Sequence, residues 1–535
     1  MFFIHYQKWR RPLTALTLLL GSLGTTACGT EAEMNPELAT VQEQDSYSLA
    51  GRDDRLYSLV RSAVPTLNEF TLLKINPRRL HRQLRRNRPV KLPFVSQEDP
   101  KRAIGVKLSL KPFSMIDPDA QGYVLSKTDQ RDSAEPVSLG SSKDYRGHIR
   151  GSRGGLAAFN LSKDGLIGSM ALPNPVRGAS GWSFIEPLGN LLRENGASER
   201  TIRAVLRRYN HVAYNSVGVD AYIPLHGDLT EHDERSDDPE APEIDLPNIT
   251  PGSGLAPGFA APSRNARSFR SSDSADSAGS EDAADTAGTG DSADAAGTED
   301  SASSEDSSDT AGGIHRENVN IYLMADVDYY KNQGSAHKVF QSQRWSLLGV
   351  HLITSFAEPS IYGNQEFDID FRIVGQATWI LGGPSSTNSA TLLEQSYNQF
   401  PWYIVPTPIN DIGLIHMFTG KDVDGSVIGR AWKIGGFDDP CGNNYSTSSA
   451  CKQSMAQPNF SGSNYYMKVI LMAHELGHNM DALHSDYDPN YSAGSWNGPS
   501  IMQPFISGGQ LPFFSPTNAE AIADKVAAEC QWDPC

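Results

Sequence analysis

The sequence predicts an α/β (α+β) fold for residues 313–535, preceded by a mainly β region and a disordered acidic linker. Three observations carry this. Phe367-Asp368-Ile369-Asp370-Phe371-Arg372-Ile373-Val374 alternates apolar and polar, as a half-buried strand does. Met467, Ile470 and Leu471 recur at helical spacing and form an apolar stripe that runs into His474 and His478. Residues 236–312 keep neither period: a Pro/Gly-rich piece is followed by Asp/Ser/Ala/Gly near-repeats that carry only acidic charge from Asp273 to Thr310. Such a composition cannot bury a core.

A chain of 535 residues is too long for one ordinary core, so two folded domains are expected. Residues 1–28 read as an export signal: Lys8, Arg10 and Arg11 give a positive start, Leu13 to Leu23 an apolar core, and Thr25-Thr26-Ala27 a small-residue cleavage region. The apolar run is short for a membrane span. Cys28 follows at once and is a lipidation candidate, since a cysteine there resembles the bacterial lipoprotein signal; simple secretion is the other outcome. Residues 29–235 mix strand-like alternation with some helical patterns. Their basic run, Arg78 to Arg86, belongs to a chain of net charge −17 that is expected to be exported, so a solvated helix face fits it better than a nucleic-acid contact.

In the C-terminal domain a strand is expected at Val319–Met324, a helix at Ala336–Leu348, a sheet-edge strand at Val427–Trp432 and a last helix at Asn518–Glu529. Apart from Cys28, the cysteines are Cys441, Cys451, Cys530 and Cys535, all in this domain. An even number in an exported domain implies two disulfides with three possible pairings. Acidic residues in the linker give only weak grounds for Ca²⁺, because they lack the regular spacing of a calcium repeat.

The chemistry centres on His474-Glu475-Leu476-Gly477-His478, continued by Asn479-Met480-Asp481-Ala482-Leu483-His484. Two histidines four apart on a helix face the same way, so one divalent ion can touch both rings. Glu475 lies about 100° round the helix, placed to reach a metal-bound water as general base. His484 supplies a third nitrogen and leaves a fourth position open around zinc. For His484 to swing back the chain must turn sharply near Asp481, where a left-handed backbone favours glycine. Asp486 and Asp488 are the alternative third ligands.

With Met502 in Ile501-Met502-Gln503-Pro504 standing where a methionine turn would lie, residues 313–535 resemble a metzincin zinc protease, most closely the reprolysin (adamalysin, ADAM-type) catalytic domain. Asn320 to Asp326 resembles that family's opening strand, and His416 to Asp422 with Gly425 to Trp432 its approach to the substrate-binding edge strand, here Ile428, Gly429, Arg430 and Ala431. Asp481 replaces the family's glycine. The resemblance implies a mixed five-stranded sheet with a long active-site helix, a disulfide joining the Cys441/Cys451 segment to the Cys530/Cys535 tail, and Met502 as a packing base beneath the histidines. Tyr145 to Gly151, Leu156 to Leu161, Gly165 to Gly168 and Phe184 to Leu188 resemble the reprolysin-type propeptide, so residues 29–235 are expected to act as an inhibitory, folding-assisting prodomain.

The expectation is a metalloendopeptidase acting on protein or peptide substrates with one catalytic Zn²⁺, made as a latent precursor and exported, either secreted or held in the bacterial cell envelope. No nucleic acid is expected as a partner, and a membrane only through a lipid at Cys28. The rival reading is an inactive zinc-fold adhesion or scaffolding protein. No cysteine lies between Cys28 and Cys441 to block a metal, which leaves His211 as a weak candidate donor. Arg264 to Arg270, beside the acidic near-repeats of the linker, is the expected maturation site.

Overall fold

The computed structural model describes residues 47–49, 53–95, 103–128, 131–139, 143–152, 155–176, 179–224, 315–355, 367–401, 403–405, 412–425, 427–431, 453–460, 462–484, 500–508, 510 and 512–530. The signal with Cys28, the linker with Arg264 to Arg270, Cys441, Cys451, Asp486, Asp488 and Cys535 lie outside the described residues, as does the side chain of Cys530. Among the described residues no helix is long and apolar enough to cross a membrane.

The N-terminal region contains strands β1 (Tyr47–Leu49), β2 (Thr71–Ile75), β3 (Val90–Val95), β4 (Ala103–Phe113), β5 (Ile116–Lys127), β6 (Asp132–Val137), β7 (Asp144–Ile149), β8 (Leu156–Ser162), β9 (Gly165–Val176), β10 (Ala179–Pro187), β11 (His211–Asn215) and β12 (Tyr222–Pro224). Its helices are α1 (Asp54–Ala63), α2 (Pro77–Arg85), α3 (Leu188–Glu194) and α4 (Glu199–Leu206). Nine strands form one sheet in the order β1-β2-β11-β10-β9-β8-β7-β4-β3. Because successive side chains alternate across a strand, the sheet feeds two cores. Leu73, Phe94, Phe159 and Ile185 pack on one face under α2, and Ala158, Ile167, Phe184 and Tyr214 face the C-terminal domain. In α2 the basic run has the solvated face expected of it, with Leu80 and Leu84 buried and Arg78, Arg82 and Arg85 exposed.

The C-terminal domain runs β13 (His315–Ala325), α5 (Val327–Gln333), α6 (Ala336–Thr354), β14 (Phe367–Leu381), α7 (Ser389–Asn398), β15 (Leu414–Phe418), β16 (Gly429–Ala431), β17 (Gln453–Ala456), α8 (Tyr465–Asn479), β18 (Phe505–Ser507) and α9 (Pro516–Cys530). Every expected strand and helix is present, most of them longer than the sequence pattern marked. This domain contributes five strands to a mixed sheet that, among the described residues, is widened to seven. Its order is β16-β17-β15-β13-β14-β5-β6, seven strands, of which β5 and β6 come from the N-terminal region. β5 pairs in parallel with β14 from Ile373 to Leu381, burying Tyr123 and Leu125 in the same cluster as Trp379. Left open, that edge of β14 would present a row of unpaired backbone groups.

The two regions also meet at the start of α8. Thr66 donates to the carbonyl of Gly462 and Asn195 Nδ2 to that of Ser463. The Tyr465 N–H donates to Glu186 Oε1 at 3.1 Å and the Tyr466 N–H to the Tyr214 hydroxyl at 3.2 Å. Lys468 Nζ pairs with Glu194 Oε2 at 2.6 Å. The first N–H groups of any helix have no partner inside it. Here the N-terminal region supplies two of the partners.

Candidate active site

α8 is capped by Asn464, whose side chain accepts from the Met467 N–H at 3.1 Å. Every residue from Tyr465 to Gly477 is buried, so this is a core helix with no solvent face. Its rings at His474 and His478 point at each other and at the chain beyond the helix end.

That end is a Schellman turn. Asp481 adopts φ +73°, its N–H donates to the His478 carbonyl at 3.0 Å, and the Ala482 N–H donates to the Gly477 carbonyl at 2.9 Å. The left-handed turn anticipated at Asp481 therefore forms without glycine. It carries the chain back, and His484 completes the site: His478 Nε2 lies 3.1 Å from His474 Nε2 and 3.1 Å from His484 Nε2.

The tautomers follow from the partners. His474 Nδ1 sits 2.8 Å from the Ile501 carbonyl and His478 Nδ1 2.9 Å from the Ala482 carbonyl. A carbonyl only accepts, so each Nδ1 carries the hydrogen and each neutral ring turns a lone pair inward at Nε2. Nitrogens bound to one zinc at 2.0–2.1 Å in tetrahedral geometry would stand about 3.3 Å apart. The arrangement fits a metal ion, and three imidazoles suit zinc well.

Glu475 is fully buried, and among the described residues neither carboxylate oxygen has a hydrogen-bond partner. Burial pushes its pKa well above the ordinary carboxylate value, with the Arg430 charge acting in the opposite sense. A buried carboxyl group with no donor among the described residues, next in sequence to His474, is placed to exchange a proton with a water held at the histidines. Gly429 closes over it. A Cβ on Gly429 would stand 2.1 Å from Glu475 Oε1. The strand carrying Gly429, β16, pairs antiparallel with β17 and ends the sheet, as expected of the edge strand. Arg430 reaches away to Ser389 Oγ at 2.8 Å. Met502 lies beneath α8, where a Cβ on Gly477 would meet its sulfur at 2.7 Å.

Several contributors left no mark in the sequence. The carbonyls of Ile501 and Ala482 orient two rings, and Asn518, which reads in the sequence only as a helix start, grips the backbone beside His484. His211 does not reach the site. It lies in β11, buried, with Nε2 accepting from the Leu166 N–H at 2.9 Å and Nδ1 2.9 Å from Asn210 Oδ1. Burial pushes its pKa down to about 3, so it is a neutral core histidine and not a latency donor.

Three imidazoles and a buried carboxyl group are the donor set that a metallopeptidase uses. Residues 315–515 match the model of Metallo-peptidase family M12, reprolysin type. No curated protein matches the chain. Among solved structures the chain is similar to metalloproteinase-II from Bacteroides fragilis, with 11% identity over 82% of this chain and 91% of that one, at a TM-score of 0.31. A likeness at that level carries no argument about this chain.

Proposed function

We propose that residues 313–535 are a zinc-dependent endopeptidase, with His474, His478 and His484 as ligands and Glu475 as general base. The supporting observation is the convergence of three imidazole Nε2 atoms next to a buried carboxyl group that has no donor among the described residues. Zinc bound there would polarise the scissile carbonyl and lower the pKa of its water to about 7. Glu475 takes the proton of the attacking water and delivers it to the leaving amine. Its enclosure under Gly429 keeps bulk water from competing for that proton. An extended peptide would add to the outer edge of β16 and present its carbonyl above the histidines. Met502 supports the rings from below and ligates nothing.

The chain is made as an exported, latent precursor on the same reading. The leader before Cys28 supports export to the medium or the cell envelope. Latency is supported by β12, which lies antiparallel on β18, directly after the methionine turn, where the primed side of a substrate would be accommodated. Gln503 to Phe505 border the same segment. The test is casein hydrolysis by the full chain after cleavage in the linker, beside Glu475→Gln. Hydrolysis by the parent alone, with zinc retained in both, is expected; hydrolysis by Glu475→Gln would remove the proposed base.

A further inference from the structure

His474 and His478 are placed by helix geometry, but His484 lies beyond the last turn, in a stretch that is neither helix nor strand. Leu483, immediately before it, is 40% exposed, and the Ala482 carbonyl is already engaged by His478. One side chain from 35 residues downstream holds the backbone at this point. Asn518 Oδ1 accepts from the Leu483 N–H at 2.8 Å, and Asn518 Nδ2 donates to the Leu483 carbonyl at 3.0 Å.

We propose that Asn518 is a positioning residue for the metal centre, holding His484 in its ligating place through the backbone of Leu483. The proposal rests on the reading of the three histidines as a metal site. The amide acts as one rung of a β-ladder, offering a donor and an acceptor to the same residue from two separate atoms, which a single hydroxyl does not. Asn518 is itself 2% exposed and stands in the first turn of α9, its N–H donating to Ser515 Oγ at 3.3 Å. α9 is anchored in the main core through Ala519, Ile522 and Val526. The third ligand is thereby referred to a rigid element rather than to a loop. Two ligands on a helix and a third clamped to a second helix cost little ordering when a metal binds.

The distinguishing substitution is Asn518→Asp. It keeps shape and acceptor but removes the donor and sets a carboxylate against the Leu483 carbonyl. Zinc affinity of the full chain is measured by chelator competition for the parent, Asn518→Asp, Asn518→Ala, His484→Ala and the double variant His484→Ala/Asn518→Ala. One zinc in the parent and a loss of about 10- to 100-fold in both Asn518 variants are expected. In the His484→Ala background the same Asn518 change should alter affinity less than about twofold, because the clamp then has no ligand to place. Parent-like affinity in Asn518→Asp overturns the assignment. So does an equal loss with and without His484, which would mark a general effect on the fold. A parent that binds no zinc overturns the reading of the site, and this assignment with it.

Discussion

The carboxyl group of Glu186, near the end of β10, accepts a hydrogen bond from the backbone N–H of Tyr465, the first residue of the helix that carries His474 and His478. Tyr214 donates to the same oxygen at 2.6 Å. Burial pushes the Glu186 pKa up from 4.5 to about 7, against those two hydrogen bonds and Lys468. The folded state therefore holds the Glu186 proton more tightly than the unfolded chain does. Stability from this group is complete below pH 4.5 and is lost as pH rises to about 7, a change of at most about 3 kcal/mol. Denaturant melts of the full chain at pH 5 and pH 8 check it by difference. Glu186→Gln, which cannot titrate, should lose less stability over that interval than the parent.

The same contacts predict that the peptidase domain does not reach its native state alone. Without the N-terminal region the N–H groups of Tyr465 and Tyr466 lose their acceptors, Lys468 loses Glu194, and the β14 edge opens. A buried charge left without its partner costs about 3–5 kcal/mol. Residues 313–535 expressed alone should show weak near-ultraviolet circular dichroism, and co-expression with residues 29–235 should restore it. A native spectrum from the isolated domain would contradict this.

At Asp481 the backbone is left-handed, a conformation that costs a side chain with a Cβ roughly 1 kcal/mol relative to glycine. Asp481→Gly should melt at or above the parent, and Asp481→Ala below Asp481→Gly by about that amount. Thermal unfolding of both proteins without metal settles the order.

Gly429→Ala would place a methyl group where Glu475 Oε1 now lies. The carboxylate would have to move. Peptidase activity should fall at least about tenfold, one proton-transfer contribution being worth 10²–10⁴, while zinc content stays at the parent value. Loss of zinc together with activity would mean that the strand, and not Glu475, had shifted.

Much of this was legible in the sequence because it is local. The helix of His474 and His478 shows its apolar stripe, Glu475 its position on the helix, and Phe367 to Val374 its alternation. His484 was legible by spacing, although Asp481 argued against the turn. Aspartate tolerates positive φ better than most residues, and the two hydrogen bonds of the Schellman turn hold it there. Long-range features were hidden. The pairing of β5 with β14 joins residues some 250 apart, and nothing near Gln121 or Gly375 marks it. Asn518 reads as a helix start because its hydrogen bonds to Leu483 exist only after the chain has folded. His211 looked like a donor for the same reason in reverse: its partner Leu166 becomes adjacent only in the sheet.

The central claim is that His474, His478 and His484 together hold one catalytic metal ion. X-ray absorption at the zinc edge on the full chain tests it most directly, run beside His484→Ala. One zinc per chain with three imidazole nitrogens at about 2.0–2.1 Å is predicted, falling to two in the variant. Zinc bound identically in both proteins, or no zinc in either, would contradict the account.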